Sequence, residues 1–244
     1  MTRFWYTGSA LLLGNLVVIF LAITVGQQMT SPQMAYDART GDDHDIFILD
    51  VTHRLIHNLT HRDGVDSSPA WSPDGQHIAF ESWRDGVRSV YVMEADGSNP
   101  RRLTNHDDAS EYAPRWIDNG TAILFRYYKR PEAAIFQVRP DGSDLRRVES
   151  TGTYQPTITS IDIVSIPFGG PEPEPAQDEE FQLPVSFRLA GNSTMQWSQD
   201  RQLGAFLSVG TRIAPEVFIL DSTDNSLTQI TTDGLVKHNL SWRP

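Results

Sequence analysis

The sequence predicts an all-β protein, a β-propeller of about five four-stranded blades preceded by one N-terminal transmembrane helix. Three observations carry this expectation. A tryptophan-headed unit recurs with a period near 45 residues, each copy divides into short apolar or alternating runs parted by Asp-Gly turns, and residues 4–26 hold no charge.

The charge-free stretch comes first. "FWYTGSALLLGNLVVIFLAITVG", Phe4 to Gly26, runs 23 residues, and as a helix it would reach about 34 Å, against a hydrocarbon core of roughly 30 Å. Residues 1–30 are therefore expected to be a transmembrane anchor that meets the lipid bilayer through residues 4–26. A cleaved signal peptide is the competing reading, though the run is long for one and "TVG" before Gln27 is a poor cleavage site. Arg3 and the terminal amine flank one side, and Arg39 stands among Asp37, Asp42 and Asp43 on the other. That bias places the amino terminus in the cytoplasm and residues 31–244 outside, on the periplasmic or extracellular side.

Past the anchor, "FILDVTHRLIHNLTHRD" from Phe47, "YVMEADGSNPRRLTNHD" from Tyr91 and "FQVRPDGSDLRRVES" from Phe136 align without gaps, and "FILDSTDNSLTQITTDG" from Phe218 is a fourth copy. Each is preceded by a strand-like run: "QMAYDA", "HIAFES", "AILFRY" or "LGAFLS". Ahead of those runs stand the structural tryptophans of the repeat, Trp71, Trp116, Trp197 and Trp242, which fall 45, 81 and 45 residues apart. Each unit reads as four strands, with Asp-Gly serving the tight turns because glycine accepts positive φ and aspartate bonds its own backbone. Such a sheet cannot bury both faces alone, so it must stack on neighbours in a ring.

"PAWSPDGQHIAFES" followed by "VYVMEADGSNPRRLTNH" resembles the repeat of the TolB-like β-propellers, a family of WD-like repeats that builds the carboxy-terminal domain of periplasmic TolB. The resemblance covers residues 33–244, most closely around Trp71 and Trp116, and least between Gly152 and Asn192. It implies the fold and leaves function open, since the repeat occurs in binding proteins, in lyases and in the non-catalytic halves of peptidases. It also implies six blades and a separate amino-terminal domain, whereas five blades and no counterpart of that domain are expected here.

The first unit starts at its second strand, and "HNLSWRP" at the end supplies a tryptophan strand with nothing after it. The last strand is expected to complete the first blade and close the ring, which removes exposed sheet edges. One of the five units is degenerate and contains "PFGGPEPEPAQDEEFQLP", residues 167–184, with five acidic residues, five prolines and no basic residue. Alternating Pro and Glu cannot form a ladder, so this reads as a solvated insertion, either a variable loop or a docking segment for a basic partner.

Strand direction puts the tight turns on one face and longer loops on the other. The long-loop face carries Trp83, Arg84, Tyr112, Tyr127, Tyr128, Lys129, Arg130 and Lys237, side chains of the types that dominate protein interfaces. A protein partner is expected there. His53, His57 and His61 are spaced for a helical metal site, but on a strand residues four apart stand about 13 Å from each other. His61, His106 and His238 hold equivalent loop positions, with Asp63, Asp107 and Asp108 beside them, and leave a channel-mouth metal as an alternative. No metal or cofactor is assigned.

The sequence holds no Gly-x-Ser-x-Gly elbow, His-Glu-x-x-His or P-loop pattern, and no cysteine, so no catalytic residue is named and a non-enzymatic role is expected. The net charge of −11 argues against a nucleic-acid partner, which would require a basic face. Asn58, Asn119, Asn192 and Asn239 head glycosylation sequons, two of them at repeat-defined strand positions where chance explains them better. The reading is a membrane-anchored extracytoplasmic propeller that acts as a protein-binding scaffold, an accessory subunit of a membrane protein complex. The alternatives are a propeller enzyme of the lyase or hydrolase type and a receptor for small ligands such as glycans or peptides, either one using the central channel.

Overall fold

Hydrogen bonds made by Ser and Asp side chains shape the first turn of the second blade and of the last described sheet. In "SPDG" the Gly75 N–H donates to the Ser72 carbonyl (2.9 Å), the Ser72 hydroxyl donates to Asp74 (2.5 Å), and the N–H of His77 donates back to that hydroxyl (2.9 Å). The hydroxyl bond holds the Asp74 carboxyl below its ordinary range. "SQDR" repeats the device at Ser198 and Asp200, with Arg201 at φ 56 where the other copy has Gly75 at φ 65. Only glycine takes that conformation without strain.

The computed structural model describes residues 31–148, 195–209 and 214–244. The chain divides into Met1–Ser31 and Pro32–Pro244, and every described strand lies in the second unit. These are β1 (Gln33–Thr40), β2 (Asp43–Asp50), β3 (Leu55–Asn58), β4 (Asp66–Trp71), β5 (His77–Ser82), β6 (Ser89–Glu94), β7 (Arg101–Arg102), β8 (Ser110–Ile117), β9 (Ala122–Lys129), β10 (Glu132–Val138), β11 (Arg146–Arg147), β12 (Gln196–Trp197), β13 (Leu203–Ser208), β14 (Glu216–Asp221), β15 (Ser226–Gln229) and β16 (Lys237–Trp242). They form four antiparallel sheets of four strands: β16-β1-β2-β3, β4-β5-β6-β7, β8-β9-β10-β11 and β12-β13-β14-β15. The last strand completes the first blade, with Met34 opposite Trp242 and Ala38 opposite Lys237. Among the described residues no helix is long and apolar enough to cross a membrane. The expected anchor, the degenerate unit and the 167–184 insertion lie outside the described residues.

The middle strands of the first, second and last described sheets (β1, β2, β5, β6, β13 and β14) are buried almost continuously because both sheet faces are covered, whereas β10 of the third is partly exposed. Met34, Tyr36, Phe47 and Leu49 of the first blade pack against Leu207, Val217 and Ile219 of the last described sheet. On the other side Ala35, Ile46 and Ile48 meet Trp71, Phe80 and Tyr91, and the second and third blades join through Val90, Val92, Trp116 and Phe125. The hydrophobic core thus lies between blades.

Polar contacts repeat with it. The Leu-Thr or Ile-Thr pair that ends three of the units has a backbone role: Thr60, Thr104 and Thr231 accept through Oγ1 from the N–H of Ile46, Val90 and Val217. These are buried strand donors that would otherwise lack a partner. The indole N–H of Trp116 donates to the Ala70 carbonyl (2.9 Å), and that of Trp242 donates to the Gln196 carbonyl (2.8 Å). In both, a tryptophan locks onto the residue preceding the tryptophan of the neighbouring blade. Trp71 is held differently, with the Arg243 guanidinium 5.1 Å over its ring. Replacing Trp116 by Phe removes this bond between the second and third blades, and the variant should lose about 0.5–1.5 kcal/mol in urea unfolding. An unchanged midpoint would deny the indole bond a stabilising role.

Candidate partner-binding groove

Three inner strands, β4, β8 and β16, contain a bulge whose central residue has positive φ: Ser68 (54), Ala113 (55) and Asn239 (48). The bulge turns a backbone N–H toward the preceding blade. Ser68 donates to Asp37 (3.1 Å) and Ala113 donates to Glu81 (2.7 Å). Glu81 is buried and also accepts from Arg88 Nε (2.7 Å), and Arg88 lies 4.8 Å over the Tyr112 ring. Arg88 is thereby fixed at the seam of the second and third blades.

Around it lies a groove of about 400 Å³. The β5–β6 loop contributes Trp83, Gly86, Val87 and Arg88, the segment entering β8 contributes Asp107 to Ser110, and the end of β9 contributes Tyr128, Lys129 and Arg130. Trp83 is 46% exposed and Tyr128 38% exposed, unusual for large aromatics in this molecule. The Trp83 N–H donates to the Val65 carbonyl (3.0 Å) and its own carbonyl accepts from Gly86 (2.9 Å), so a fixed loop presents the indole. Lys129 pairs with Asp108, which holds the Asp108 carboxyl below and the Lys129 amine above their ordinary ranges.

Of the eight residues expected to meet a partner, the structure brings Trp83, Tyr128, Lys129 and Arg130 to this groove. Arg84 turns inward across Phe80 (5.2 Å) and Tyr91 (4.9 Å) to reach Asp66 at 2.9 Å. Tyr112 is half-buried beneath Arg88. Tyr127 is buried between His106 (5.1 Å) and Phe136 (5.0 Å). Lys237 is 0% exposed and bonds Glu216 (2.9 Å), Asp233 and the Leu235 carbonyl (3.1 Å). It is a buried tie between the last and first blades, because only a cation can satisfy the two carboxylates facing it. Arg88 also lines the groove and was not among the expected partner residues, and Asp107 and Asp108 line it although they were expected only beside a channel-mouth metal.

The three histidines proposed for a channel-mouth metal do not converge. His106 Nδ1 stands 2.6 Å from Glu111, and His238 packs against His44. Among the described residues no three or more His, Asp or Glu side chains could hold one ion.

The family model for the TolB beta propeller domain matches residues 28–165, more than half of the chain. The chain belongs to the TolB β-propeller family. Within that family it is similar to the Tol-Pal system protein TolB of Syntrophus aciditrophicus, 35% identical over 87 residues, 34% of this chain and 19% of the relative. The Tol-Pal system protein TolB of Chromobacterium violaceum is 28% identical over 88 residues, 36% of this chain and 21% of the relative. Among solved structures, TolB from Acinetobacter baumannii aligns over 91% of this chain and 47% of its own, at 16% identity and a TM-score of 0.45. The matches to the curated relatives span about a fifth of their length.

Glu111, next in sequence to Ser110 of the groove, is buried, and burial lifts its carboxyl above the ordinary range despite bonds from Thr104 and His106. The folded state holds this proton more tightly than the unfolded state does. Its contribution is complete below about pH 4 and declines as pH rises through the lifted value. In urea unfolding from pH 4 to 8, Glu111→Gln should therefore gain stability relative to wild type as pH rises. A difference constant with pH would contradict this.

Proposed function

We propose that this TolB-family chain is a membrane-anchored, extracytoplasmic five-bladed propeller that works as a protein-binding scaffold, an accessory subunit of a membrane assembly. Residues 4–26 serve as the anchor, and the degenerate repeat between Gly152 and Asn192 supplies the fourth blade. The observation that carries the reading is the groove between the second and third blades. There two exposed aromatics, Trp83 and Tyr128, stand beside Arg88, Lys129 and Arg130 on a rigid seam. Aromatic and arginine side chains set in a recess are the usual centres of binding energy, and a rigid seam presents them at little ordering cost. Membership in a family whose relatives carry the name of the Tol-Pal system supports a role in association over catalysis. On this reading the protein is not an enzyme.

The test is recovery of the full chain from its native membrane in mild detergent, followed by amine cross-linking and mass spectrometry. The chain has two lysines, Lys129 and Lys237, and only Lys129 is exposed at the groove. A stoichiometric partner should cross-link at Lys129, and the double variant Trp83→Ala, Tyr128→Ala should lose it at least tenfold with its circular dichroism unchanged. A lone chain in the membrane fraction would contradict the scaffold. Recovery in the soluble fraction would contradict the anchor.

A further inference from the structure

A second recess, of about 410 Å³, opens where the last strand meets the first, and it is separate from the groove. His44 of β2 and His238 of β16 face each other across it, with ring centres 5.7 Å apart and planes at 71°. Two imidazoles that share one ion at about 2 Å each place their ring centres roughly 5 Å apart, so the pair needs little movement to do so.

Behind His44 lies Asp37, fully buried. Its Oδ1 accepts from the Ser68 N–H (3.1 Å) and from Asn239 Nδ2 (2.9 Å). Its Oδ2 stands 3.3 Å from His44 Nε2 and lacks a hydrogen bond of good geometry. A cation beyond the imidazole would give this buried carboxylate a charge partner. A carboxylate behind a ligating imidazole fixes the ring's tautomer and raises its basicity.

The recess also holds Asp42, Asp43 and Arg39. Arg39 Nε donates to the Gly41 carbonyl. Asp43 Oδ1 accepts from the Gly64 N–H.

We propose that His44 and His238 bind one borderline transition-metal cation, of the zinc, nickel or copper class, with Asp37 orienting the His44 ring and water completing the shell. Among the described residues no three His, Asp or Glu side chains could hold one ion, so the proposed shell has two protein ligands. The ion would tie β2 to β16 and so brace the closure of the first blade.

The untagged, chelator-stripped full chain, titrated with zinc chloride at pH 7.5, should show a saturable rise in Tm and one ion bound per chain by calorimetry. His44→Gln and His238→Gln should each weaken binding at least tenfold, Asp37→Asn by about 10–100-fold, and His57→Gln, in β3, should leave it unchanged. Binding should also weaken as pH falls from about 7.5 to 5.5, because protons compete for the imidazoles. No saturable rise with zinc, nickel or copper, or a rise kept by the double histidine variant, overturns the proposal. If the variants fold poorly, copper electron paramagnetic resonance on wild type decides, since a spectrum without imidazole nitrogen coupling also overturns it.

Discussion

The antiparallel pairing of β16 with β1 is the constraint on which the rest of the structure depends. A blade is a thin sheet with two apolar faces, and neither face can be left in water. Tyr36 of β1 faces the last described sheet while its neighbour Ala35 faces the second blade. The first blade can do this only as a full sheet, and its inner strand comes from the far end of the chain. β16 brings Trp242, which bonds the Gln196 carbonyl, and Lys237, which satisfies two carboxylates beside the last blade. Ser241 of the same strand accepts from the Trp71 N–H of the second blade on the other side. One strand therefore carries the contacts that join both neighbours.

The repeat keeps backbone positions and varies the chemistry placed on them. Asp66, Glu111 and Lys237 hold the same position, five residues before a tryptophan, and all are buried. Asp66 is answered by Arg84, Glu111 by Thr104 and His106, and Lys237 by Glu216 and Asp233. A buried charge without its partner costs several kcal/mol, so each solution commits nearby loop residues. Arg84 is drawn inward by Asp66, which leaves Trp83 on the surface. The groove consists of side chains that these buried pairs did not take.

This accounts for what could be read from the sequence. Strand order, the Ser-Pro-Asp-Gly turns and closure by the last strand followed from the period alone, because they are backbone properties repeated in register. The direction of Lys237 was not legible from its loop, since its partners Glu216 and Asp233 become neighbours only through folding. One signal was present: lysine stands where two other copies have an acid, a change that calls for carboxylates nearby. Tyr127 lay hidden for a similar reason, being the continuation of a strand into which His106 and Phe136 fold. The facing of His44 and His238, 194 residues apart, exists only because the chain's two ends share a sheet.

Hydrogen exchange followed by mass spectrometry on the full chain tests the closure most directly. If β16 is the inner strand of the first blade, amides in 237–242 and in 33–40 should be protected together and should open at one common rate, that of global unfolding. Rapid exchange across 237–242, with 33–40 still protected, would show a frayed terminal segment beside a three-stranded sheet and would contradict the account.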